Sequence, residues 1–280
     1  HRIRLADLVG GEVDRVLDAT DTPTFALQGG LPPDTNTFTA RVRAYEAACE
    51  TLVAMAAVGG YWIEDWHYAT WQTALIRLAT RRRETGFNLW VELQRYPATQ
   101  LFYTLGLGAV EAGERGLLFM GKLFGTKIHR EYKEDKTAVE LLPAFCLFER
   151  GNESARLLEG MDRRHAPLND WLHTLLQPRF RSFMPSESRF TYTFDKLEVL
   201  MALSYAYYAK RDKDWYWCPP GCYGYREDNL ERILKELRSS IESLGEKSPY
   251  VRSGIFGKSA EECSSGIDAF TTWVQKLRWF

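Results

Sequence analysis

Two stretches gather residues whose types and spacing could do chemistry. The first, DWYWCPPGCYGYR over residues 214–226, sets Trp215, Trp217, Tyr223, Tyr225 and Arg226 around a Pro-Pro-Gly turn. Tryptophan, tyrosine and arginine dominate protein–protein hot spots, and aromatic rings also stack on bases, so these five are the candidate partner-binding residues. The competing reading is that a stiff loop lays its rings over the helices it joins, since a large aromatic buries about 150–250 Å² and usually does so in a core. Cys218 and Cys222 in the same loop raise the question of zinc. Structural zinc needs a second close-spaced Cys or His pair, and only Cys263 and isolated histidines remain, so no metal site is expected.

The second stretch, YWIEDWHYATW over residues 61–71, places Glu64, Asp65 and His67 together. A carboxylate beside a histidine is what general acid–base work requires. On a helix, however, Glu64 shares a face with Tyr68 while Asp65 and His67 diverge, so spacing alone yields no paired constellation. These residues carry an alternative reading as a hydrolase-type enzyme. His129 in KIHREYKEDK and His165 in DRRHAP fall in charged polar runs and read as solvated. No phosphate-binding loop, dinucleotide fingerprint, nucleophile elbow or zinc-protease helix is present. GLGAVEAG has no strand ahead of it, and the run Arg81-Arg82-Arg83 is too short for a phosphate-tracking groove. The expected chain has no catalytic residues and no cofactor.

The elements that must position these residues are helical. Phe38, Val42, Tyr45, Cys49, Leu52 and Ala56 step by three and four behind Thr37, which reads as an N-cap. Trp71, Leu75 and Leu78 mark the next helix, closed by the arginine run and Gly86. Pro97 starts another at the position where its missing N–H costs nothing, and Gly106 and Gly108 within it point to a close neighbour. Residues 190–209 are apolar around most of their circumference, which predicts a buried helix. Leu230, Ile233, Leu234, Leu237, Ile241 and Leu244 give a one-sided helix ending at Gly245, and Ser259 with Glu262 has capping-box spacing ahead of Ile267, Phe270, Val274 and Leu277.

No alternating strand, hairpin dipeptide or fixed repeat interrupts this pattern, so the expected fold is all-α, a multi-helix array or bundle without a substantial sheet. The polar, proline-punctuated stretch 151–189 reads as an irregular connection between a helical lobe at 1–150 and another at 190–280, or else as part of one continuous domain. A chain of 280 residues that is 45% apolar can bury a sizeable core. Its 36 basic and 37 acidic residues nearly cancel, which argues against nucleic acid and anionic membranes as partners. No apolar run approaches the roughly 18 residues of a membrane span. The five cysteines are odd in number and scattered, as expected of reduced thiols, and without a secretion signal the expected location is cytoplasmic. The chain opens at His1, not methionine, and reads as a processed product or a piece of something longer.

Five stretches in order carry a resemblance. WQTALIRLA, RYPATQLFYTLGLGAVEAG, FDKLEVLMALSYA, WYWCPPGCYGYR and SPYVRSGIFGKSAEECSSGIDAF span most of the chain from Tyr61 onward. Together they resemble the C-terminal all-helical region of large bacterial antiphage defence proteins, the part that follows a sirtuin-like NAD-consuming module or another effector. Cys218 and Cys222 are not part of that pattern. The resemblance implies a non-catalytic sensor, regulator or assembly platform whose partners are proteins: a phage component, sibling subunits or the attached effector. A helical array that only holds protomers together is the structural alternative, and homo-oligomerisation is compatible with either.

Overall fold

The computed structural model describes residues 2–28, 33–81, 86–129, 134–209 and 216–276. Trp215, Arg82, Arg83, Leu277 and most of the GGLPP stretch lie outside the described residues. The fold is all-α. In chain order it runs α1 (Arg2–Ala19), α2 (Thr35–Tyr61), α3 (Tyr68–Ala79), α4 (Asn88–Leu93), α5 (Tyr96–Glu111) and α6 (Glu114–Phe124). A two-residue antiparallel pairing, β1 (Lys127–Ile128) with β2 (Lys136–Thr137), follows, then α7 (Ala138–Leu141), α8 (Asn152–Ala155) and α9 (Pro167–Leu176). The last part is α10 (Glu187–Ala209), α11 (Glu227–Leu244), α12 (Pro249–Ser253) and α13 (Ala260–Lys276). No helix among the described residues is long and apolar enough to cross a membrane.

α5 is the axis. Every residue from Tyr96 to Ala109 is buried, because α2, α3, α6 and α10 surround it. Pro97 sits in its first turn, as its missing N–H predicts. The crossing with α2 is a backbone contact: a Cβ on Gly108 would lie 2.5 Å from Tyr61 N and 2.6 Å from Gly60 C. Gly106 faces the Leu197 side chain of α10 instead.

Two expectations need correction. Asp34, not Thr37, caps α2: its carboxylate accepts from Thr37 N–H at 2.8 Å, and Thr37 Oγ1 returns a bond to Asp34 N–H at 3.0 Å. An anionic cap gains from the helix dipole as well as the hydrogen bond, and the helix starts three residues earlier, at Thr35 rather than Phe38. The stretch 151–189 is helical in part, not irregular throughout. Pro167 starts α9, and Leu168, Leu172 and Leu176 recur every fourth residue on its buried face. Together with Leu158, Phe180 and Met184 they join a single apolar cluster that runs from Val9 to Phe270.

Replacing Gly108 by alanine tests the α2–α5 crossing. The gain of about 1 kcal/mol in helix propensity should be outweighed by overpacking against backbone that cannot rotate away. We expect a net loss of about 2 kcal/mol and a melting temperature lower by roughly 4–8 °C in a circular dichroism melt. An unchanged or raised melting temperature would show that the crossing is not closely packed.

Candidate functional site

The loop 216–226 lies over α9 and α10, and its chemistry is turned inward. On α10, Asp195 and Glu198 stand three residues apart and are both buried, 0% and 3% exposed. Each must find partners, because a carboxylate removed from water is costly unless hydrogen-bonded or paired. Glu198 Oε2 accepts the Cys222 backbone N–H at 2.6 Å. Its Oε1 accepts from Asn169 Nδ2 of α9 and, at 3.4 Å, from the Tyr103 hydroxyl of α5. Tyr103 Oη in turn accepts the Ala144 N–H at 3.1 Å. Gly221 leaves room for this bond, since a Cβ there would lie 2.5 Å from Glu198 Oε2 and the carboxyl would have to shift.

Asp195 is met by Arg226 Nη1 at 2.7 Å and by Asn229 Nδ2 at 2.6 Å. Arg226 also approaches Asp170 at 3.8 Å, and the Tyr225 hydroxyl donates to the same Asp170 oxygen at 2.5 Å. Burial pushes Glu198 up to about 8, against the hydrogen bond from Asn169 and with the help of nearby Asp195. Burial also lowers His173 to about 4, where its Nε2 meets Thr191 Oγ1 at 3.0 Å between the edges of Phe190 and Phe194. The open space beside Glu198 is about 10 Å³, one water's worth, far below the roughly 300 Å³ of small-molecule sites.

The loop residues chosen from sequence are therefore placed as follows. Tyr223 is 1% exposed, packs 5.5 Å from Phe270 and donates its hydroxyl to Pro219 O at 2.6 Å, so it is a core residue and not a surface contact. Trp217 is half-buried against Tyr205 and Phe145, with ring centroids 5.1 and 5.8 Å away. Tyr225 and Arg226 are half-buried and tied to Asp170 and Asp195. Trp215 lies outside the described residues. Cys218 and Cys222 are buried free thiols, and burial raises both well above the ordinary thiol range. Among the described residues no three His, Cys, Asp or Glu side chains come together as metal ligands would.

The second candidate stretch forms a single 3₁₀ turn, Asp65–His67, between α2 and α3. His67 Nδ1 accepts the Glu64 backbone N–H at 3.1 Å, while the Glu64 carboxylate accepts from Trp66 Nε1 at 2.6 Å. Imidazole and carboxylate thus serve different donors. Partial burial, opposed by the Glu64 charge, holds His67 below its usual range.

Beside this turn is an open-sided cleft of about 360 Å³ between the α2–α3 junction and α6. Ile63, Trp66, Tyr68, Leu118 and Phe119 line it with apolar and aromatic surface. Tyr68 fixes the two walls together, its hydroxyl donating to Lys122 O at 3.2 Å. Glu64 and Asp65 stand on one lip, and Arg115 and Lys122, two helical turns apart on α6, stand on the other. All four are exposed, and no ion pair joins one lip to the other. His67 does not line the cleft.

Sequence reasoning missed both the buried carboxylates and the cleft. The carboxylates had a signal, namely two acids at i and i+3 inside an otherwise apolar helix. The cleft had none, because α6 and the α2–α3 turn are brought together only by the tertiary fold. Comparison of the chain with protein-family models, with curated proteins and with solved structures returns no match.

Two measurements follow from the buried network. Arg226→Ala leaves Asp195 with a single donor and should cost about 3 kcal/mol in urea unfolding, with most of the loss recovered in the Arg226→Ala, Asp195→Asn double variant. A cost below about 0.5 kcal/mol would mean that Arg226 is a surface residue. For Glu198 the folded-state value of about 8 lies above the ordinary 4.5. The neutral acid is thus favoured on folding, so its stabilising contribution is complete below the unfolded value, declines as pH rises and is gone above about 8. Glu198→Gln should flatten the fall in urea midpoint between about pH 5 and 8, and an unaltered slope would assign that fall to other groups.

Proposed function

We propose that this chain is a non-catalytic recognition and regulatory module of a cytoplasmic bacterial antiphage defence protein, one that contacts a protein and passes that contact to an attached effector. The order and spacing of the five resembling stretches support the family, and the cleft beside α6 carries the recognition reading. Its apolar, aromatic floor with a charged rim is the anatomy of a protein-binding patch, and at about 360 Å³ it is large enough to seat a side chain. Trp62, one residue ahead of the cleft-lining Ile63, is 64% exposed and adds an exposed aromatic ring, resting on Tyr61, at this end of α2. The loop 216–226 then acts as a clamp over α9 and α10 that keeps the scaffold rigid. For regulation the partner must prefer one of two arrangements of the whole protein, since equal affinity for both would shift nothing.

The experiment is a phage challenge of cells expressing the full reading frame that contains this chain. Leu118→Glu, which places a charge on the cleft floor, should reduce protection by about tenfold or more at equal protein abundance, as loss of a buried anchor does. Full protection by that variant would remove the cleft as the contact surface. Absence of protection by the unaltered frame across a broad phage panel would reject the antiphage reading itself.

A further inference from the structure

We infer that the cleft between the α2–α3 turn and α6 is a homotypic interface, in which Trp62 of one copy of this chain enters the cleft of a second copy and the reverse contact forms by two-fold symmetry. The inference deepens the recognition reading and rests on it, by naming the partner as a sibling chain. Its first support is self-complementary charge. A two-fold interface brings the same patch together on both sides, so that a residue on one lip meets the opposite lip of the partner, and conversely. Glu64 and Asp65 on one lip face Arg115 and Lys122 on the other without pairing to them. A two-fold axis running along the cleft sets the acidic lip of each copy against the basic lip of the other, so both sets are matched in one step. A patch of one sign would repel itself in the same arrangement.

The second support is shape. A cleft cannot fill a cleft, so a homotypic contact needs a knob beside the hole. Trp62 is that knob: it is 64% exposed at the C-terminal end of α2, its ring resting edge-on against Tyr61 at 5.2 Å, and it precedes Ile63 of the cleft wall without lining the cleft of its own chain. An apolar cavity of about 150 Å³ holds a benzene ring, so a cleft of about 360 Å³ has room for an indole. Such a reciprocal contact is small by the standard of obligate dimers, which places it among transient interfaces that tethering within a larger assembly would strengthen.

The test is the solution mass of the chain, 32.3 kDa as a monomer, by sedimentation equilibrium over a concentration series at low and high salt. The unaltered chain should move toward twice its monomer mass as concentration rises, less so at high salt. The variants Glu64→Lys with Asp65→Lys, and Arg115→Glu with Lys122→Glu, should each raise the dissociation constant by about tenfold or more, as like charges now meet across the axis. Mixed in equal amounts, the two variants should associate again, since each lip then faces its opposite sign. Trp62→Ser should abolish association in every combination. All four substituted charges are exposed, so circular dichroism should report unchanged helix content. A monomer at every concentration, or association indifferent to the charge reversals, would overturn the inference, as would failure of the mixture to associate while both variants stay folded. If the unaltered chain is monomeric yet Leu118→Glu still loses protection, the sibling-chain assignment fails and recognition of a different protein stands.

Discussion

Two carboxylates on adjacent turns of α10 have no access to water, and the C-terminal third of the chain is arranged around that constraint. Asp195 and Glu198 project into a region otherwise filled by Phe190, Phe194, Leu197 and Met201. Their desolvation has to be offset by donors held in place, and those donors come from separate parts of the chain: Tyr103 from α5, Asn169 from α9, and Cys222 N–H, Arg226 and Asn229 from the loop and the first turn of α11. A buried network of this kind is costly when half-satisfied and specific when complete. It therefore sets the position of the 216–226 loop more tightly than apolar packing alone would, since rings tolerate sliding and a backbone N–H 2.6 Å from a carboxylate does not.

The same logic recurs once more in the N-terminal half. Glu46 of α2 accepts from the Tyr96 hydroxyl of α5 at 2.8 Å and from Trp171 Nε1 of α9 at 2.5 Å, and burial raises its pKa against those bonds. One carboxylate thus joins three helices that are far apart in sequence. With the glycine-to-backbone contact of α2 on α5, this leaves α5 held from both sides: polar bonds at Tyr96 and Tyr103, and a close crossing at Gly108. These ties fix α5 against α2, α9 and α10 at three separate points along its length.

Helix existence was legible because it rests on period, and period is local. α10 was recognisable from apolar residues around most of its circumference, and α13 from capping-box spacing, of which the structure contains the Ser259 half: its Oγ accepts from Glu262 N–H at 3.1 Å, while the Glu262 carboxylate accepts from Lys258 N–H at 2.7 Å. The role of 151–189 was harder to read because mixed charges obscured the four-residue spacing of Leu168, Leu172 and Leu176. The aromatic loop shows a different limit. Its composition is shared by hot spots and by core covers, and the deciding fact is whether carboxylates lie beneath it, which depends on α10 being adjacent. The cleft is the extreme case: Glu64, Asp65, Arg115 and Lys122 are ordinary surface charges in sequence, about fifty residues apart, and acquire meaning only as opposite lips of one opening.

Charge use on the surface separates the cleft from the rest of α6. At the start of that helix Glu114 pairs with Arg252 of α12, and near the end of α5 Glu111 pairs with Arg189 of α10, so neighbouring charges here are employed to tie elements together. Exposed pairs of this type contribute little stability each, about 0–1 kcal/mol, and serve mainly to choose which surfaces meet. Arg115 is next to Glu114 in sequence but lines the cleft together with Lys122, as Glu64 and Asp65 do from the α2–α3 turn. Among the described residues no ion pair joins these four charges, although Glu64 accepts from Trp66 Nε1 and Lys122 Nζ lies 5.8 Å from the Tyr68 ring centroid. In the proposed homotypic contact, a second copy closing over the floor would lower the dielectric between opposite charges and so strengthen their attraction.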